Sequence, residues 1–292
     1  FDYDVNNRLQ TKRFPDGTTV AFAYTPTGRR QRIVEPRGVT TFEYDTRDRL
    51  LRRTDPDGRF VAYGYDTAGN RTSITTATGT TRYEFDALNR MTRINDPDGG
   101  ITRYTYDPVN NVILQELPNG TVRANAYDAL NRVNQIEHRG PGGPFARYEY
   151  TLGPNGNRLE VRELDGRRVN YAYDALDRLV QETIADPVSG PRTIAYVMDG
   201  VGNRLLRNDS IEAQTTYTYD ANDQLLSESL SSQLSTLNTV YTYDANGNTL
   251  SKSNANESTE YEWNPENRLI AFRQFDASQA LSTTGQYQND TD

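Results

Sequence analysis

The 292-residue chain has 32 basic and 40 acidic residues, a net charge of -8, one histidine and no cysteine. That balance lacks the basic footprint of broad nucleic-acid binding, no apolar stretch approaches the roughly 20 residues of a membrane span, and disulfides are excluded. Hydrophobic residues make up 35%, below the about 45–50% of an ordinary globule, which suits a sheet with a solvated face better than a thick two-layer core.

The predicted elements repeat from the start. An aromatic residue closes a strand-like run and meets a turn at Tyr3, Tyr24, Tyr44, Tyr65, Phe85, Tyr106, Tyr127, Tyr150, Tyr173, Tyr196, Tyr219, Tyr243 and Trp263. Thirteen copies of 20–24 residues are the mark of one structural unit stacked many times. Within residues 49–71, Arg49 to Thr54 reads as a strand, Asp55-Pro56-Asp57-Gly58 as a turn, Arg59 to Tyr65 as the returning strand, and Asp66 to Asn70 as the next turn. Pro presets one turn angle and Gly supplies a positive φ. Each copy is thus a β-hairpin continued by its neighbours as a meander. Turn glycines expected in this role are Gly17, Gly58, Gly69, Gly99, Gly120, Gly166, Gly202 and Gly247.

A second ring precedes the first by two residues in most copies, from Phe1, Phe22 and Phe42 through Tyr63, Tyr83, Tyr104, Tyr148 and Tyr171 to Tyr217, Tyr241 and Tyr261. Residues i and i+2 share a strand face, so two ladders of stacked rings are expected, weaker at Asn125 and Ile194. The turn after the ring reads as two strictly alternating lengths. Asp45 reaches Arg49 in four residues and Asp66 reaches Arg71 in five, with Thr25, Asp107, Thr151 and Asp244 beginning turns of the long kind. The full unit is therefore a pair of hairpins of 41–46 residues, whose unlike turns are expected to interlock. About 26 strands at roughly 4.8 Å would make a sheet some 125 Å wide, and open sheets rarely exceed about ten strands without curling. The expected object is an all-β meander, a single layer coiled into a curved or spiral wall, with the array over residues 1–275 and a degenerate repeat or disordered tail over 276–292. Tyr287-Gln288-Asn289-Asp290 is the candidate fourteenth copy.

The consensus, aromatic-x-Tyr-Asp-x-x-Gly-Asn-Arg-Leu with Asp-Gly in the opposite turn, resembles the YD or Rhs repeat family. Tyr83-Glu84-Phe85-Asp86-Ala87-Leu88-Asn89-Arg90 and Tyr241-Thr242-Tyr243-Asp244-Ala245-Asn246-Gly247-Asn248 carry the likeness. The resemblance implies a hollow β shell, as in bacterial Rhs and wall-associated polymorphic toxins, Tc toxin C components and teneurins. In the toxins the shell holds a C-terminal effector until delivery. The self-cleaving segment that normally follows the repeats is not visible here, so no catalytic residue carries over.

The remaining chemistry favours structure over catalysis. His138 stands alone beside a Gly/Pro loop, without partners for a metal site or a triad. Asp55/Asp57 and Asp96/Asp98 sit in Pro-Gly turns. Asp244 to Asn248 echoes the opening of a calcium loop, but Ala255 occupies the place of its bidentate Glu. The sequons at Asn70, Asn119, Asn208, Asn256 and Asn289 are expected to be chance matches. The expectation is a non-enzymatic, cofactor-free wall segment of a secreted or cell-surface bacterial protein, delivered by a secretion system. Its partner would be its own C-terminal cargo polypeptide, with glycans or delivery-machine proteins as further candidates. The alternative is a surface adhesin whose exposed Tyr, Arg and Asp hold carbohydrate. The chain begins at Phe1 inside a repeat, as a piece of a longer protein would.

Overall fold

A computed structural model describes residues 1–232 and 235–287. Among them are 27 strands and no helix, one strand more than the sequence suggests. The chain divides into two compact units, Phe1–Ala146 and Arg147–Asp292. The first holds β1 (Asp2–Tyr3), β2 (Leu9–Arg13), β3 (Thr19–Tyr24), β4 (Arg30–Glu35), β5 (Gly38–Tyr44), β6 (Leu50–Thr54) and β7 (Phe60–Tyr65). It continues with β8 (Arg71–Thr76), β9 (Gly79–Phe85), β10 (Met91–Asn95), β11 (Ile101–Tyr106), β12 (Val112–Glu116), β13 (Val122–Tyr127) and β14 (Val133–Gly140). From β15 (Gly143–Leu152) the chain runs through β16 (Arg158–Glu163), β17 (Arg168–Tyr173), β18 (Leu179–Asp186), β19 (Gly190–Met198), β20 (Arg204–Asp209) and β21 (Gln214–Tyr219). The last strands are β22 (Leu225–Ser231), β23 (Thr236–Tyr243), β24 (Thr249–Ser253), β25 (Glu257–Trp263), β26 (Leu269–Asp276) and β27 (Leu281–Gln286).

Within each unit every strand pairs antiparallel with its chain neighbours, a meander with no crossover. Alternate turns fall on opposite rims. We call the edge that carries the Tyr-Asp turns the ring rim and the other the tip rim.

One feature of the ladder has no sequence signature. Tyr65 faces Arg71 while Gly64 faces Ser73, leaving Thr72 as an extra residue. The same bulge follows the ring-rim turn in the other hairpins, as at Tyr44/Leu50, Tyr106/Val112 and Tyr173/Leu179. A bulge bends its strand and adds right-handed twist, so bending is built into each hairpin.

Burial follows the pleat. Phe22 faces Ile33, and Val169 faces Ile184. Val20, Ile33 and Val169 are the most enclosed apolar residues, at 2–3% exposure, yet none of the large side chains described is fully buried. Val169, Ile184 and Ile194 form a cluster against Tyr171 and Tyr196. The ring face therefore takes most of the burial of a single layer.

The tip rim is held by a second device. A Cβ on Gly38 would lie 2.8 Å from Pro56 Cβ, and one on Gly79 would lie 2.6 Å from Pro97 Cβ. Pro56 and Pro97 thus pack on the glycine of the tip before theirs, and at those two positions only glycine leaves room. Past residue 275, a turn from Asp276 to Ala280 leads into β27. Tyr287 donates its N–H to the Ile270 carbonyl and packs its ring on Phe272. Gln288, Asn289 and Asp290 of the candidate fourteenth copy, and the sequon at Asn289, lie outside the described residues.

The ring rim as candidate functional site

A ring-rim turn is closed by its first residue. Asp45 accepts the Asp48 N–H at its carbonyl and donates its own N–H to Arg49 O. Its Oδ1 accepts the N–H groups of Arg47 and Arg49 at 2.9 Å, and its Oδ2 accepts Arg49 Nε at 2.7 Å. Asp48 then takes a positive φ of 58°, the left-handed position that Asn, Asp and Gly tolerate best. The N–H of Arg49, and then its guanidinium, hold the Asp45 carboxyl below the ordinary range.

The neighbouring turn corrects the expectation of two lengths. Asp66 donates to Asn70 O and accepts the N–H groups of Gly69 and Asn70, with Asn70 Nδ2 on its Oδ2 at 2.9 Å. The backbone is the same five-residue turn. What alternates from the third turn through Arg268 is the fifth residue, Arg in one turn and Asn in the next with Gln224 once in place of Arg, so that Arg71, Arg158 and Arg204 stand one position later than Arg49 does. The interlock itself is present, and each turn donates to the next one along the chain. Arg49 Nη1 donates to Asp66 O, as Arg8 does to Thr25 O, Arg90 to Asp107 O and Arg178 to Asp199 O. Asn70 Nδ2 donates onward to Asn89 Oδ1, Asn111 to Asn131, Asn203 to Asp223 and Asn248 to Asn267.

The repeated ring has a defined task. A bulge leaves the carbonyl of its first residue without a ladder partner. Tyr65 OH donates to Leu50 O at 3.0 Å, Tyr106 OH to Met91 O at 2.6 Å and Tyr127 OH to Val112 O at 2.8 Å. Tyr24, Tyr44, Tyr173, Tyr219 and Tyr243 close Leu9, Arg30, Arg158, Arg204 and Leu225 in the same way. Trp263 substitutes its Nε1–H, donated to Thr249 O at 2.8 Å. Each ring plugs the bulge of the hairpin before it. Phe85 keeps the position without a donor, and Tyr3, at the start of β1, is 56% exposed.

Two copies are out of phase with the sequence reading. The eighth ring-rim turn runs from Gly153 to Asn157 and the tenth from Asp199 to Asn203. Leu152 faces Arg158 and Met198 faces Arg204, just as Tyr65 faces Arg71. Leu152 and Met198 are therefore the closing residues, and the turn starts at Gly153 rather than Thr151. Tyr150 and Tyr196 belong to the inner column. There Tyr196 OH donates to Glu182 at 2.6 Å, as inner Tyr241 does to Glu228 at 2.9 Å. Burial and then this glutamate push the Tyr241 hydroxyl up. Ile194 is thus no gap in the inner column, whereas Asn125 is. Strands β15 and β19, ten and nine residues long, carry the ring further inward, and the Gly-Pro-Asn-Gly-Asn and Asp-Gly-Val-Gly-Asn runs mark the true turns.

Stacked rings are replaced by alternating rings and guanidinium groups. Arg49 lies 4.6 Å from the Tyr65 centroid, Arg8 4.8 Å from Tyr24 and Arg90 4.7 Å from Tyr106. In the inner column Arg71 sits between Tyr63 and Tyr83, and Arg204 between Tyr196 and Tyr217. Equivalent rings are two strands apart, about 9.6 Å, beyond the roughly 7 Å reach of ring stacking. A planar cation from the strand between fills that gap, and this accounts for 30 Arg against 2 Lys.

The turn glycines divide between the rims. Gly17, Gly58, Gly99, Gly120 and Gly166 lie on the tip rim, Gly69, Gly202 and Gly247 on the ring rim, all at positive φ. The candidate chemical groups have structural partners. Asp244 accepts Asn246 N–H, Asn248 N–H and Asn248 Nδ2, so its oxygens point into the turn. Asp57 pairs with Arg59, and Asp96 accepts the N–H groups of Asp98 and Gly100. His138 tilts against Phe145 with centroids 6.1 Å apart. A cluster the sequence does not announce closes the irregular tip after β20. Asp209 is 5% exposed. It takes Arg192 Nε on both oxygens and Arg207 Nη2 at 2.7 Å, and the Arg192 hydrogen bonds lower its carboxyl to about 2.

This geometry defines a class, a non-globular β-hairpin repeat wall whose side chains serve the lattice. The family model described as RHS Repeat matches residues 3–40, 44–81, 65–101 and 85–122. Residues 3–40 and 44–122 thus carry RHS repeats, and the same turn and plug continue to Trp263. No curated protein sequence matches it. Among solved structures, a TcdB2-TccC3-TEV crystal structure aligns with a TM-score of 0.74 at 18% identity, covering 92% of this chain and 17% of that one. TcdB2-TccC3 without its hypervariable C-terminal region aligns at 0.73 and 16%, covering 99% and 20%. A Photorhabdus luminescens Tc holotoxin pore aligns at 0.73 and 15%, covering 99% and 20%. The chain has the fold of those proteins and spans about a fifth of their length.

Proposed function

We propose that this chain is a section of a shell wall that encloses a polypeptide carried C-terminal to the repeats in a secreted bacterial toxin. The observation that carries this reading is where the polar groups go. Ring hydroxyls close bulges, aspartates close turns, and guanidinium groups bridge one hairpin to the next, so the side chains with binding or reactive chemistry are engaged in the sheet. Such a layer is a stiff barrier. The solved chains of the same fold belong to toxin assemblies, one of them described as without its hypervariable C-terminal region. A glycan-binding adhesin would need free Tyr, Arg and Asp groups, and the ring rim has few to offer. The test is cryo-electron microscopy of the natural gene product containing these repeats, with protease challenge of its C-terminal segment. Enclosed density and protection before the wall is opened support the proposal. An empty, open sheet with an immediately digested C-terminus refutes it.

A further inference from the structure

The arginines that follow the ring-rim turns are of two kinds. At the fifth turn position, Arg8, Arg49 and Arg90 are neutralised by the aspartate that opens their own turn. At the sixth position there is no such partner. Arg30 and Arg71 in the first unit, and Arg158 and Arg204 in the second, are exposed. Among the described residues their guanidinium groups bond no carboxylate, carbonyl or hydroxyl, and their contacts are with rings.

Arg71 shows the geometry most clearly. It stands midway between Tyr63 and Tyr83, 5.7 and 6.0 Å from their centroids, whereas Arg49 lies 4.6 Å from Tyr65. A guanidinium carries its five N–H donors along its edge, away from the faces that the rings cover. The two rings therefore hold the plane and leave the donor edge open. The acidic groups of β7, β8, β9 and the ring-rim turns that follow β7 and β9 are Asp66, Glu84 and Asp86. Each is committed elsewhere, Asp66 to Asn70, Glu84 to Arg93 and Asp86 to Arg90. The positive charge of Arg71 is left without a counter-ion from its own sheet.

The spacing repeats in both units. Four strands separate Arg30 on β4 from Arg71 on β8, and Arg158 on β16 from Arg204 on β20, about 19 Å in each case. An extended polypeptide covers that distance in about six residues.

We propose that these four arginines are docking positions for the carboxylates of an extended acidic polypeptide, each carboxylate meeting the open edge of one guanidinium beside its ring. The choice of a polypeptide over another polyanion rests on the reading of the wall as enclosing one, whereas the carboxylate positions stand without it. A single exposed pair of charges is weak, so binding depends on two carboxylates engaging one unit together.

The test follows the arginine Nε–Hε signals of the isotope-labelled chain at fixed ionic strength. The probe is a capped peptide with two glutamates about six residues apart on a Gly/Ser/Thr background, beside one-glutamate and all-glutamine versions and an oligogalacturonate. The expected result is saturable movement of Arg30, Arg71, Arg158 and Arg204, with Arg49 and Arg90 unmoved. The two-glutamate peptide should bind several-fold tighter than the one-glutamate peptide, a gain lost in Arg71→Gln/Arg204→Gln. The contrast of Arg71 with Arg49 is read within the unmodified chain and needs no variant to fold. Equal movement of Arg49, or the same shifts with the all-glutamine peptide, would overturn the proposal outright. Equal affinity of the one- and two-glutamate peptides would overturn the paired spacing, and tighter saturation by oligogalacturonate would replace the polypeptide with an acidic glycan.

Discussion

Tyr106→Phe removes one oxygen and leaves everything else in place. The hydroxyl donates to Met91 O at 2.6 Å, and that carbonyl is the one the bulge at Met91 and Thr92 frees. The ring stays beneath Arg90, 4.7 Å from the guanidinium, so the cation–π contact and the packing persist. A net hydrogen bond is worth about 0.5–1.5 kcal/mol, and a buried acceptor left unpaired costs about 1–3 kcal/mol. The rim is only half-buried and water recovers part of this, which sets the expected loss at about 1 kcal/mol. Phe85→Tyr runs the experiment in reverse, since by register its new hydroxyl meets Arg71 O, and it should gain about 0.5–1 kcal/mol. Repeat arrays need not unfold in two states, so native-state hydrogen exchange of β8 to β12 is the assay. One kcal/mol appears there as a roughly fivefold change in local opening. If neither substitution changes exchange in its own hairpin, the plug does not hold the bulge and the reasoning is wrong.

Three further outcomes follow from the same geometry. Met198→Tyr restores a donor at an out-of-phase closing position, so exchange of β18 to β20 should slow by an amount like that of Phe85→Tyr. Gly38→Ala meets both a φ of +133° and Pro56, whereas Gly58→Ala meets a φ of +83° with open space. Denaturant titration should show the first losing at least about 1 kcal/mol more than the second. The folded Asp209 carboxyl lies at about 2, below the 3.8 of an unperturbed aspartate, so the folded state binds this proton less tightly than the unfolded chain. Its contribution is complete above pH about 4 and lost as pH falls toward 2, about 2 kcal/mol in all. Asp209→Asn should flatten that part of the stability–pH curve, and an unchanged curve would count against the cluster.

Much of this was legible in the sequence because the repeat is local. Asp, Asn and Gly at fixed offsets specify the ring-rim turn through bonds within five residues, and alternation of rings fixes the face. What escaped was long-range or one residue subtle. The alternation of Asp45–Arg49 with Asp66–Asn70 reads as a change of length because Arg is the eye-catching residue, whereas the backbone counts to the fifth position regardless of what stands there. Tyr150 and Tyr196 drew the phase to themselves although Gly153–Asn157 and Asp199–Asn203 held the turn signal. The bulge, the hydroxyl that closes it and the proline of one tip on the glycine of the last are contacts between hairpins, set by register that no single repeat displays. The Asp209 cluster was hidden for the same reason, since Arg192 is 17 residues away.

The claim on which the account rests is that one hairpin grips the next through Arg and Tyr, and a double-mutant cycle on Arg49 and Tyr65 measures it most directly. Arg49→Leu, Tyr65→Leu and the double variant are compared by hydrogen exchange of β6 and β7, with Arg49→Leu/Tyr106→Leu as a non-contacting control pair. The account predicts a coupling of about 0.5–1 kcal/mol for Arg49 with Tyr65 and additivity for the control. Additivity of both pairs would contradict it, leaving hairpins that lie side by side without holding one another.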